Sequence, residues 1–236
     1  MCTLVLLRRP GHAWPLLLAA NRDERLDRAW EAPAEFWPGI TGGRDASGGG
    51  TWLALSRQGV VAGVLNRPGS LGPAPGKRSR GELPILALGE TSAAEAAGRI
   101  ATLDAGEYRP FNLVIADAET AWFLKGLGEG RPQAQPLGEG ISMVTAHDPN
   151  DLDSPRTRRH LPRFRAATPP EPGTDDWSAW EALLRNAEGE RGEQLCVPDL
   201  NGFGTVCSSL IALGAEAAPM WRFAARAGAD FLPVPL

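Results

Sequence analysis

The run Val60-Val61-Ala62-Gly63-Val64-Leu65-Asn66 is apolar with almost no alternation, and so is Thr51-Trp52-Leu53-Ala54-Leu55 shortly before it. A strand that is apolar on both faces must be covered on both faces. The polar Arg57-Gln58-Gly59 between the two runs makes them a hairpin. Similar pairs recur: Cys2 to Leu7 with Pro15 to Ala20 around Arg8-Arg9-Pro10-Gly11, and Phe111 to Ala116 with Ala121 to Leu124 around Asp117-Ala118-Glu119-Thr120. Ile141 to Thr145 reads as a further strand, and Thr205 to Leu213 with Met220 to Ala225 as a last strand-like pair.

Helices fall between these pairs. Arg80-Gly81-Glu82-Leu83 leads into Ile85 to Leu88, and Ser92-x-x-Glu95 is a capping box for an Ala-rich helix reaching Ile100 and Leu103. Ser154-Pro155 opens a third helix with proline at its first position, where no N–H is missed. Trp177, Trp180, Leu183 and Leu184 repeat at helical spacing behind Asp175-Asp176. The passage with Trp30, Pro33 and Phe36-Trp37-Pro38-Gly39 reads as a connection. Runs of strands alternating with runs of helices predict an α+β fold of mainly antiparallel sheets, two sheets face to face with helices outside.

With 236 residues, 43% of them hydrophobic, and no linker that divides them, one domain over residues 1–236 is expected. A net charge of −4 without basic blocks argues against nucleic acid or an anionic membrane as partner. Of the 24 basic residues only Lys77 and Lys125 are lysines, and no GxxxxGK[ST] phosphate loop is present. Three cysteines, an odd number, suit a reducing compartment, so a cytoplasmic location is expected. Arg8-Arg9 and the apolar Ala13 to Ala20 imitate a leader, but Pro15 and the charged block from Asn21 to Arg25 oppose that reading. No apolar run approaches the roughly 20 residues of a transmembrane helix, so no membrane insertion is expected.

Position 2 carries the chemistry. Removal of Met1, favoured by a small second residue, would leave Cys2 with a thiol and a free α-amine on one residue, a nucleophile with its own base. Asn21-Arg22-Asp23-Glu24 directly follows the second strand, so an antiparallel hairpin returns it to Cys2. There Arg22 would favour thiolate and Asp23 would orient the amine. His12, His147 and His160 with three scattered cysteines never reach metal-ligand spacing, so no metal is expected. Cys196 and Cys207 read as small core or loop residues. Gly48-Gly49-Gly50 precedes a strand rather than a helix, so a close backbone approach near Cys2 is expected there instead of an anion cradle.

Met1-Cys2-Thr3, Ala20-Asn21-Arg22-Asp23-Glu24, Gly49-Gly50-Thr51-Trp52-Leu53, Asn66, Ser79-Arg80-Gly81-Glu82-Leu83 and Phe111-Asn112-Leu113 together resemble the NRDE-domain family, also called transport and Golgi organisation protein 2. The resemblance implies the N-terminal-nucleophile hydrolase fold, an αββα four-layer sandwich. The start of the chain and Gly59 to Gly69 are also similar to cysteine-type penicillin V acylases and bile-salt hydrolases. By that similarity Cys2 is the nucleophile, Arg22 and Asp23 are its electrostatic partners, and Asn66 contributes to an oxyanion hole. Asn21, Glu24, Trp52, Arg80, Asn112 and His147 are the candidate binding residues.

Two departures stand out. Val144-Thr145-Ala146-His147 replaces the family's Leu-Ser-Asn, leaving His147 or Asn150 as substitute donors, and Gly204-Thr205-Val206 replaces Gly-Thr-Arg with no obvious substitute nearby. The resemblance implies either an amidase or thioesterase that needs no cofactor, or a non-catalytic carrier of haem or an acyl lipid, the family being linked to haem movement and to acyl-CoA and lipid metabolism.

Overall fold

The computed structural model describes residues 2–236. Met1, and with it the expectation of its removal, lies outside them. In chain order the elements are β1 Thr3–Arg8, β2 Leu16–Arg25, β3 Trp30–Trp37, β4 Ile40–Asp45, β5 Thr51–Ser56, β6 Val61–Asn66, α1 Glu82–Ala87, α2 Ala93–Ile100, β7 Phe111–Ala116, β8 Ala121–Gly126, β9 Gln133–Pro136, β10 Gly140–Val144, α3 Pro155–Ala166, α4 Ser178–Leu184, β11 Phe203–Leu213, β12 Met220–Ala224 and β13 Leu232–Pro233. They gather in two compact units. One holds the chain up to Arg28 with Glu139–Pro235, the other Ala29–Gly138 with Leu236. No helix among the described residues is long and apolar enough to cross a membrane.

The first unit is built on an antiparallel sheet ordered β10-β1-β2-β11-β12-β13. β1 and β2 pair from Thr3↔Asn21 to Arg8↔Leu16, and β2 and β11 from Arg25↔Phe203 to Leu16↔Leu213, with one irregularity between Thr205 and Cys207. Asn21-Arg22-Asp23-Glu24 is therefore not a turn after the strand. It is part of β2, because the 11 residues of β11 give it backbone partners as far as Arg25. Val5, Leu7, Leu17, Ala19, Leu210 and Ala212 share one face and pack on Leu161, Phe164, Trp180 and Leu184 of α3 and α4. Phe164 and Trp180 meet edge to face, centroids 5.3 Å apart. Ser154 caps α3, accepting the Thr157 N–H at 3.2 Å, with Pro155 at the first position as expected. α4 begins one residue after Trp177, and Asp176 accepts its first N–H at Ser178, 3.0 Å away.

The second unit is a seven-stranded meander, β3 to β9, each strand antiparallel to its sequence neighbours. Ala54, Ala62, Leu113, Ile115 and Leu124 pack against Leu83, Ala87, Ala96 and Ile100 of α1 and α2. The Ser92 hydroxyl accepts the Glu95 N–H at 3.2 Å, completing the expected cap. β3 and β4 occupy much of what the sequence reads as a connection, and β9 has no counterpart in that reading. The reason is physical: β3 is an edge strand with Pro33 and two register irregularities against β4, and β9 is exposed throughout, so neither alternates.

The glycine run makes a close backbone approach at Gly50. A Cβ on Gly50 would lie 2.3 Å from the Gly81 carbonyl carbon, and the Thr51 N–H donates to the Gly81 oxygen at 2.8 Å. The Gly-Gly-Thr and Arg-Gly-Glu stretches are thus two backbones pressed together. Gly50→Ala is expected to cost about 1–3 kcal/mol by overpacking. Gly98→Ala, on the exposed face of α2 with open space around it, is expected to gain about 0.5–1 kcal/mol. Urea midpoints of the two variants check both signs.

His160 of α3 is buried, with Nε2 on the Glu193 carbonyl at 2.8 Å. Burial, helped by the charges of Arg163, Arg159 and Arg156, lowers its pKa from 6.5 to about 4. The folded state thus binds fewer protons than the unfolded one between those values, so this contribution to stability is present above 6.5 and lost as pH falls to about 4. His160→Gln is expected to flatten the pH dependence of the denaturation midpoint across that window.

Candidate functional site

Successive residues of a strand point to opposite faces. Arg22 and Asp23 therefore cannot both project toward one point beside Cys2, and the register shows how they divide. Continuing the β1–β2 register sets Cys2 opposite Arg22, and Arg22 is paired on its other side with Cys207. Asn21 and Asp23 share the other face, the one covered by α3 and α4, with Thr3, Thr205 and Ser208.

Cys2 keeps some exposed surface as a residue, but its thiol is enclosed and contacts the Asp23 carbonyl oxygen at 3.7 Å. Burial pushes the thiol above its ordinary value, and the Asp23 charge adds to this. The Arg22 guanidinium and the contact to the Asp23 carbonyl pull the other way. Arg22 thus acts in the expected direction, but desolvation outweighs it and the thiolate is not the favoured form. Cys207, whose partner on β2 is Arg22, is also raised, chiefly by burial. Cys196 is raised by burial and by the Asp23 charge. All three cysteines are free.

Asp23 is held by groups that sequence reasoning missed. Its Oδ2 accepts from Arg156 Nη1 at 2.8 Å and its Oδ1 from Thr205 Oγ1 at 2.7 Å. The same Arg156 nitrogen donates to Thr3 Oγ1 at 2.9 Å. The Arg156 and Asp23 side chains are 3% and 0% exposed, so this is a buried ion pair. Thr205 Oγ1 also accepts the Val197 N–H at 2.8 Å. A guanidinium therefore reaches Asp23 from α3, although Val206 holds the position where an arginine is missing. The signal was the helical period: Thr157, His160, Leu161 and Phe164 form the buried face of α3, and Arg156 falls on it.

Asn21 is committed elsewhere. Its Nδ2 donates to the Leu184 and Leu195 carbonyls, each at 2.9 Å, and its Oδ1 accepts from Ser208 Oγ at 2.6 Å. Glu24 lies at the strand end, accepting the Arg25 N–H at 2.9 Å and standing 4.0 Å from Arg28. His147 is half-buried, with Nδ1 3.5 Å from Asp151. Asn150 accepts the Met143 N–H at 2.8 Å through its side chain and donates its own N–H to the Met143 carbonyl, clasping β10.

In the second unit, Asn66 ends β6, half-buried and paired with Phe111. Asn112 is buried and accepts from Arg67 Nη1 at 2.6 Å, another contact the sequence did not announce. Arg80 gathers the preceding loop, donating to Ser70 O at 2.7 Å, Ser70 Oγ at 2.9 Å, Pro110 O at 3.1 Å and Gly72 O at 3.3 Å. Trp52 lies over Gly43, where a Cβ would stand 2.2 Å from its ring, and meets Trp30 edge to face at 5.8 Å.

Asn21→Ala would strand two carbonyls and a hydroxyl in the core, a cost of about 2–4 kcal/mol. The melting temperature is expected to fall accordingly while the alkylation rate of Cys2, measured well below the transition, stays near wild type.

Comparison with known proteins places this geometry. The family model described as Transport and Golgi organisation 2 matches residues 1–168. A bovine (Bos taurus) Transport and Golgi organization protein 2 homolog is 34% identical over 114 residues, 45% of this chain and 40% of that protein. The human (Homo sapiens) homolog is 32% identical over 118 residues, 47% of this chain and 41% of that protein. The alignments thus span well under half of these relatives. Among solved structures, a Caenorhabditis elegans ortholog of N-acylethanolamine-hydrolyzing acid amidase superposes with a TM-score of 0.63 at 11% identity, covering 99% of this chain and 100% of that one. Penicillin V acylase from Agrobacterium tumefaciens gives 0.63 at 12% identity, over 99% and 86%. The C2A mutant of conjugated bile acid hydrolase from Clostridium perfringens gives 0.56 at 10% identity, over 99% and 92%. At such identities the likeness establishes the fold, which is that of N-terminal-nucleophile hydrolases.

Proposed function

The chain belongs to the Transport and Golgi organisation 2 family, and from that premise we propose that it is a hydrolase whose Cys2 attacks the carbonyl of an amide or acyl thioester. The observation that carries the reading is the enclosed Cys2 thiol beside Arg22, in contact with the carbonyl of Asp23, whose carboxyl group forms a buried ion pair. The fold neighbours support it, being an acid amidase ortholog, an acylase and a bile acid hydrolase.

A thiol whose burial disfavours its charge needs a proton acceptor at the moment of attack. The α-amine freed by loss of Met1 supplies one on the same residue. It takes the thiol proton as sulfur bonds to the carbonyl carbon. The tetrahedral oxyanion collapses, the amine or thiol leaving group departs with that proton, and a thioester on Cys2 remains. Water then attacks the thioester, releasing the acid and restoring the thiol.

The alternative is a carrier that holds haem or an acyl lipid without turnover. Wild type is expected to hydrolyse a panel of N-acyl amides and acyl-CoAs, and Cys2→Ala to lose at least about a hundredfold in kcat with an unchanged melting temperature. Haemin and a long-chain acyl-CoA are titrated into both Cys2 forms in parallel, following tryptophan emission and the Soret band. Saturable binding by both without product would sink the hydrolase. Intact mass of the purified protein reports whether Met1 is gone.

A further inference from the structure

We infer that Arg156 is a positioning residue for Cys2, fixing at once the residue next to Cys2 in the chain and the residue whose carbonyl meets the thiol. The inference rests on the reading of Cys2 as nucleophile. Arg156 Nη1 donates to Thr3 Oγ1 at 2.9 Å and to Asp23 Oδ2 at 2.8 Å. Thr3 follows Cys2 directly, and the Asp23 carbonyl oxygen lies 3.7 Å from the Cys2 sulfur. One nitrogen on α3 thus bridges the two strands that bracket the thiol.

The helix that carries Arg156 is itself anchored. Ser154 caps its first turn and meets Thr145 Oγ1 at 3.2 Å, while His160, one turn on, is fixed by the Glu193 carbonyl. Thr205 holds the other oxygen of the Asp23 carboxyl group, so the Asp23 end of the bridge is not left to rotate. A guanidinium suits the place because its planar fork carries several donors in fixed directions, which an ammonium lacks. Its charge also offsets the Asp23 carboxylate that would otherwise stand uncompensated behind the thiol.

The charged and titratable groups that act on the thiol are Arg22 and Asp23 on β2 and Cys207 on β11, while Arg156 on α3 acts on it through Asp23, whose charge also reaches Cys196. Removing the Arg156 charge leaves a more negative surrounding for the Cys2 sulfur, and removing its bridge loosens Thr3 from Asp23. Both slow the thiolate reaction at a given pH.

The test uses the full chain and needs no substrate. Iodoacetamide alkylation of Cys2 is followed by peptide mass between pH 6 and 10 for wild type, Arg156→Gln, Arg156→Lys and Thr3→Val. Arg156→Gln is expected to move the Cys2 midpoint up by about one unit, roughly tenfold slower near neutrality. Arg156→Lys is expected to restore most of the midpoint. A folded Arg156→Gln protein whose Cys2 profile superimposes on wild type, or moves down, overturns the inference. Where Arg156→Gln fails to fold, Thr3→Val decides, since it keeps the ion pair and removes one arm of the bridge. A Cys2 rate slower by about threefold or more supports the inference, and a smaller slowing or a faster rate overturns it. Absence of hydrolysis with the shifts present sinks the hydrolase reading alone. Cys2-dependent hydrolysis with no shift sinks the positioning role alone.

Discussion

A carboxyl group in the interior of a sheet must be paired and hydrogen-bonded or it will not stay there. Asp23 meets that demand by drawing on β1, β2, β11 and α3 together. Arg156 reaches it from the helix, Thr205 from the neighbouring strand, and Thr3 shares the arginine from the strand on the other side. The order β1-β2-β11 at the centre of the sheet and the seat of α3 on its face are what make this satisfaction possible. Removing one partner would leave a charge buried, so the network ties the local fold to the electrostatics of the candidate site.

Strand geometry then assigns the tasks. Because the side-chain period is two, the adjacent Arg22 and Asp23 serve opposite faces of β2. Arg22 lies on the side of Cys2 and Cys207, where its charge favours their thiolates against burial. Asp23 works from behind, its backbone carbonyl meeting the thiol while its side chain is locked beneath the helices. Asn21 shares that covered face and fastens the carbonyls of Leu184 and Leu195, holding the segment after α4 against the sheet. One tetrapeptide thus carries the electrostatics of the candidate site and the docking of its support.

The other motif stretches divide in a similar way. Gly50 and Gly81 are small because two backbones touch there, and Arg80 organises the loop leading to that contact. Gly43 is small because the Trp52 indole lies over it. These positions carry packing.

The hairpins at 51–66, 111–126 and 203–224, and the caps at Ser92 and Ser154, were legible in the sequence, because apolar runs, turn residues and capping spacings are local properties. The edge strands β3 and β9 were not, since their proline, irregular register or exposure removes the alternation that marks a strand. Cys2 and Arg22 could be singled out from composition and motif, but the burial that raises the thiol could not. Burial is a sum over neighbours brought from distant parts of the chain. Arg156 shows the same division: its helical phase was readable, whereas its partner lies 133 residues away. Local periodicity and motifs determined the elements and the candidate nucleophile; which side chain meets which buried charge was decided by long-range strand pairing, because only that pairing brings Asp23, Thr205, Thr3 and Arg156 within hydrogen-bond distance.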